Sequence, residues 1–199
     1  MKRQLSILGC VKRRESVAFC PAEVAKIQRR ATPGQSEIPN GEGTMDAKPT
    51  HEQAQLQLQI YDQRREAKLR QARDWFGKNY IVNNIDDAMR IAPMGSEQGA
   101  YAGMVLGYWE QACALLNYGL LHEDLFFETS GEFFGVWEAV KPVVPAFRER
   151  FAHKEAFSHL EQAAKRYEAW SESRNPGHIS IMRQFMQLMR GHAASTAKV

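Results

Sequence analysis

A chain of 199 residues with 44% hydrophobic and 25% charged side chains has an ordinary globular composition, with room for one domain and a core of its own. Its formal charge of +3 is unevenly placed, because residues 1–44 carry +4 and residues 45–199 carry −1. A nucleic-acid-binding domain needs a basic face of its own, and the main part of this chain has no surplus charge to build one.

Three cysteines, Cys10, Cys20 and Cys113, are too few and too scattered for a disulfide framework or a zinc site. Cys113 sits in an apolar run and reads as a small core residue. Reduced thiols in a cytoplasmic protein are the expectation.

Residues 1–49 read as a leader. Lys2 and Arg3 precede Leu5, Ile7 and Leu8 as in a secretion signal, but the apolar stretch falls short of the roughly 7–15 residues required. Pro33, Gly34, Pro39, Gly41, Gly43 and Pro49 stand among residues with little to bury, which predicts disorder. Met45 opens a segment of normal helical patterning, so one expectation is that translation starts there. The alternative is a basic arm that attaches the protein to a membrane surface or to nucleic acid.

From residue 50 to residue 190 the pattern predicts a helical domain, followed by a flexible tail over 191–199. Thr50 and Gln53 have capping-box spacing. A long amphipathic helix of about 25 residues follows, with Leu58, Tyr61, Leu69, Ala72, Trp75 and Phe76 facing inward and Arg64, Arg65, Lys68 and Gln71 outward. A short helix over 86–92 stops at Pro93 and Gly95. The third helix, 96–118, carries Gly99, Gly103 and Gly107 as one smooth stripe, which predicts the close approach of another backbone. Its charge-free runs, 98–109 and 111–121, are separated by Glu110 and are too short for a bilayer. Gly119 supplies the stop. Further helices are expected over 122–128, from a second capping box at Thr129–Glu132 to Val140, from Pro145 to Phe151, over 154–170 and over 179–190, where Gly191 ends the last. No stretch alternates with a period of two. The fold class is all-α, a single compact bundle of about five to seven helices with a disordered amino-terminal leader.

Tyr61-Asp62-Gln63-Arg64-Arg65-Glu66, Arg73-Asp74-Trp75-Phe76, Tyr108-Trp109-Glu110, Asn117-Tyr118-Gly119-Leu120-Leu121 and Phe126-Phe127-Glu128-Thr129-Ser130-Gly131-Glu132 resemble a family of small bacterial helical proteins classed as a domain of unknown function. The resemblance runs from Gln55 to about Trp170. It implies a helical fold and brings no activity or catalytic residue with it.

A carboxylate inside an apolar helix makes Glu110 the first candidate for chemistry, since burial without a partner raises a carboxyl pKa into the range of a general acid or base. The competing structural reading pairs it with Arg70 or Arg73 from the first helix, with Glu132 in the same buried polar cluster or serving as a helix cap. No nucleophile, phosphate-loop or dinucleotide pattern is present, and no Glu-x-x-His pair supports a di-metal bundle, so neither a catalytic residue nor a metal or cofactor is expected. The function expected is a protein-interaction or regulatory module without catalysis. Its contact face would be Ile179, Met182, Phe185, Met186 and Met189, and its partner a second copy or another protein rather than nucleic acid or membrane. The alternative is a small-ligand binder or enzyme with an inter-helix pocket around Trp109, Glu110 and Trp137.

Overall fold

In the computed structural model, which describes the backbone of residues 48–196 and side chains as far as Met189, Thr50 starts the first helix with the reciprocal cap its spacing predicts. The Gln53 amide donates to Thr50 Oγ1 at 3.2 Å, and the Thr50 amide donates to Gln53 Oε1 at 3.0 Å. The leader and the start at Met45 lie outside the described residues.

The long first helix is two helices. α1 runs His51–Arg64 and α2 runs Ala67–Asn79, with Glu66 capping α2 through a 2.8 Å bond from the Leu69 amide. Breaking at residues 65–66 changes the inward set. Ile60 and partly Leu56 face the core from α1, while Leu58 and Tyr61, expected inward, are exposed. Arg64, expected on the solvent side, is turned inward to an acid. Leu69, Ala72 and Phe76 are buried from α2 as the pattern requires.

α3 (Ile85–Ile91) is capped by Asn84, and α4 (Glu97–Asn117) by Ser96, whose Oγ accepts from the Gly99 amide at 3.0 Å. α4 is the central element and packs on α2, on α8 (Ser158–Arg174) and on α6 (Glu132–Val140). Its buried side chains include Val105, Trp109, Cys113 and Leu116. The glycine stripe lies away from that side. Gly103 and Gly107 are exposed, and among the described residues no atom stands near where a Cβ would be and no backbone approaches them. Only Gly99 is required by packing, because a Cβ there would strike the Pro93 carbonyl oxygen of the preceding turn.

Gly119, at φ +73°, ends α4 as predicted, with the Leu120 amide donating to the Leu115 carbonyl at 3.0 Å. α5 (Glu123–Thr129) is capped by His122, and α7 (Val144–Arg150) begins with Pro145 in its first turn. α3 packs on α7, α6 on α8, and α9 (His178–Thr196) on α8. Gly191 does not end the last helix, which continues to Thr196. The described residues form helices and no strand, nine against the five to seven expected, so the all-α bundle stands with finer division. Phe126, Phe133 and Phe134 join Trp109 and Leu160 in full burial at its centre, each worth about 1.5–3 kcal/mol in surface removed from water.

Candidate functional site

The residues singled out in the sequence divide among three places. The first is a node around Glu132, at the start of α6. Arg73, from α2, holds this carboxylate in a fork, with Nε donating to Oε1 at 2.7 Å and Nη2 donating to Oε2. Arg64, the last residue of α1, donates to the same Oε2. The three side chains are only 21–28% exposed. Burial alone would raise the Glu132 pKa, but the Arg73 hydrogen bond and the charges of both arginines bring it below 4.5. Thr129 and Glu132 therefore make no capping box. Gly131 occupies the cap position without a side-chain bond, Thr129 Oγ1 donates to the Leu125 carbonyl, and the acid that the box needs is taken by two arginines.

Around this node α1 is fastened by polar contacts. Gln57 Nε2 donates to Thr129 Oγ1 and to Ser130 Oγ, each at 3.0 Å. Tyr108 donates to the Ile60 carbonyl at 2.8 Å, and burial pushes its phenol up to about 12, so it remains a donor across the useful pH range. Arg64 also lies over the Trp109 ring, 5.6 Å from its centroid.

The second place is Glu110. It meets neither Arg73 nor Arg70, and Arg70 is exposed. Its Oε1 accepts from the His159 amide at 3.1 Å and its Oε2 from the Leu160 amide at 2.8 Å. These are free donors in the first turn of α8. Phe157, the residue at the cap position, is left-handed at φ 57° and offers no side-chain acceptor. Glu110 thus caps α8 from another helix, where a negative charge also meets the positive end of the helix dipole. The proposed buried cluster is accordingly two separate arrangements, Arg73 with Glu132 in one and Glu110 in the other.

Both carboxylates are fully engaged, one by guanidinium groups and one by backbone amides. Trp109 and Trp137 are almost completely buried in the core, Trp109 against Tyr108 and Phe133, while Glu110 faces α8. Among the described residues no three His, Cys, Asp or Glu side chains converge as a metal site, and no helix is long and apolar enough to cross a membrane.

The third place is α9. Ile179 is buried, and Met182 and Met186 pack on the core, whereas Phe185 and Met189 are exposed together with Ile181. The expected five-residue face is therefore split between a docking side and an outer side. Arg183 fixes the docking side. It donates to Glu138 of α6 at 2.9 and 3.1 Å, donates to Glu168 of α8, and lies over the Phe134 ring. Glu172 adds a cap by accepting from the Gly177 and Ile179 amides at 2.8 and 3.0 Å. A groove of about 520 Å³ between α8 and α9, bordered by Glu168, Glu172, Ile179 and Arg183, is shallow and open to solvent. Sequence reasoning missed Arg64, Gln57, Glu138 and Arg183. The available signal was α9 itself, whose single arginine between residues 178 and 189 has no acid on its own helix to pair with.

Glu138, like Glu132, titrates below 4.5, because the Arg183 and Lys141 contacts outweigh the opposing effect of burial. A carboxyl depressed in the folded state adds stability that is complete above the unfolded value and lost as pH falls through the folded one. The thermal midpoint should hold from neutral pH to about pH 5 and drop below about pH 4.5. Circular-dichroism melts would show a smaller acid drop in Glu132→Gln than in the parent; an identical drop would remove Glu132 from this account.

No curated protein and no solved structure matches the chain. The sequence model of the domain of unknown function DUF4760 does match it over residues 49–167, more than half its length, and the chain belongs to that family.

Proposed function

We propose that this protein is a non-catalytic interaction module that pairs with a second copy of itself through the outer side of α9. The observation that carries the reading is the exposure of Ile181, Phe185 and Met189, spaced by four on one side of a helix and each 57–67% open to solvent. The opposite side of the same helix is pinned by Ile179, Met182, Met186 and Arg183, so the apolar outer residues are presented on a fixed support. A second copy fits because the outer side is neutral. Arg183 is the one charged side chain among residues 178–189 that is not histidine, and it is turned to Glu138 and Glu168. Two such surfaces related by a two-fold axis meet without like-charge repulsion. Engagement of both Glu110 and Glu132 in structural contacts supports the absence of acid–base catalysis.

The small apolar area predicts a concentration-dependent dimer in the micromolar range rather than an obligate one. Light scattering across a concentration series should show dimer in the parent protein and monomer in the double variant Ile181→Glu, Phe185→Glu, with helix content unchanged. A parent protein that stays monomeric at about 200 μM overturns the reading, since a micromolar dimer is then largely formed.

A further inference from the structure

We infer that α1 is a releasable strap, latched by polar contacts over the Tyr108–Trp109 side of α4, which opens without unfolding the helices beneath it. Four observations place it apart from the rest of the bundle. Its apolar hold is slight, since Ile60 is its one buried residue and Leu56 packs only partly on the core, while Leu58 and Tyr61 face solvent. Its remaining hold is polar: Gln57 on Thr129 and Ser130, Tyr108 on the Ile60 carbonyl, and Arg64 on Glu132.

The seam is also imperfectly satisfied. Among the described residues, three side-chain polar atoms are buried without a hydrogen-bond partner: Gln57 Oε1, Arg64 Nε and Trp109 Nε1. Two belong to α1 and the third lies in the ring beneath the Arg64 guanidinium. A buried polar atom without a partner penalises the closed form, and opening returns it to water. The cost of losing the latch contacts is therefore partly offset at the moment of release.

Finally, the joint is already made. Arg65 closes α1, with its amide donating to the Asp62 carbonyl at 3.0 Å and the Glu66 amide donating to the Gln63 carbonyl at 3.1 Å, and the Glu66 side chain caps α2. α2 keeps its own attachments when α1 leaves, through Leu69, Ala72 and Phe76 and through the Arg73 fork on Glu132. Elements with few buried apolar contacts and polar fastening are those that open locally in the native state. Release here exposes more of half-buried Tyr108 and loosens the cover over Trp109 and Ser130, both buried when α1 is latched.

Amide hydrogen exchange read by mass spectrometry on the full chain tests this. Peptides from residues 51–64 should exchange at least about tenfold faster than those from 97–117. Two variants loosen the latch from different ends. Arg64→Met removes the strap's ion pair and leaves Arg73 on Glu132, and Tyr108→Phe removes one hydroxyl from a ring that stays packed. Each should speed exchange in 51–64 by about five- to tenfold, and that exchange should depend only weakly on low urea, whereas exchange in 97–117 rises steeply with it. If Arg64→Met does not fold, Tyr108→Phe decides alone. Exchange in 51–64 at the rate of 97–117 in the parent overturns the strap. So does a urea dependence in 51–64 as steep as that in 97–117, because α1 would then open only when the domain unfolds.

Discussion

Glu132→Gln is expected to cost about 2–3 kcal/mol of folding stability. Removing one partner of a fully buried ion pair costs about 3–5 kcal/mol, chiefly because the remaining charge is left in a poor environment. Here two guanidinium groups would be left facing each other across a neutral amide. Partial hydration of all three side chains lowers the figure from the fully buried range. The arginines should rank unequally. Arg73 forks both oxygens of Glu132, whereas Arg64 reaches one, so Arg73→Met costs more than Arg64→Met. Urea is the right denaturant, because guanidinium chloride would screen the contacts being measured. Three variants all lying within about 0.5 kcal/mol of the parent would mean that the node behaves as an ordinary surface ion pair.

The local parts of this architecture were legible in the sequence, and the tertiary parts were legible only as a demand for a partner. Thr50 with Gln53, Gly119 and Pro145 each act within one turn of their own position, and each does in the structure what its type and spacing require. The break between α1 and α2 carries neither glycine nor proline. It arises because Glu66 caps α2 while Arg64 reaches an acid 68 residues away. The same competition explains the capping box that does not form. Glu132 has the right spacing from Thr129, but three charged hydrogen bonds from two arginines are stronger than one from a backbone amide. The stripe of Gly99, Gly103 and Gly107 misled for another reason. Regular spacing shows that a helix side is smooth, and it does not show which side faces the core; the larger residues Val105, Trp109 and Cys113 settle that. On α9 the pattern found an apolar helix but could not divide it. With Ile179, Ile181 and Leu188 added to its methionines and phenylalanine, the apolar residues spread over about half the circumference, and only the neighbouring Glu138 and Glu168 decide which side is held.

Glu110 shows most sharply what a partner's identity changes. An acid in an apolar helix must be compensated, and arginine was the natural candidate from sequence. With an orphaned arginine, Glu110→Gln would cost as much as breaking the Glu132 node. The structure gives it two backbone amides instead, so glutamine keeps one acceptor and strands at most one donor at the edge of a helix turn. The expected loss for Glu110→Gln is about 1 kcal/mol, a lost cap bond with a weaker dipole interaction. Glu110→Ala removes both acceptors and should cost about 2–3 kcal/mol, because charged hydrogen bonds of this kind are worth about 1.5–3 kcal/mol and leave buried donors unpaired. The damage should also be local. Exchange protection should fall first in the opening turn of α8, at residues 158–161, where Phe157 has no side-chain cap to substitute. Equal losses for glutamine and alanine would return Glu110 to the role of a buried charge with a cationic partner. A graded loss focused on the start of α8 would establish it as the cap that ties that helix to the centre of the bundle.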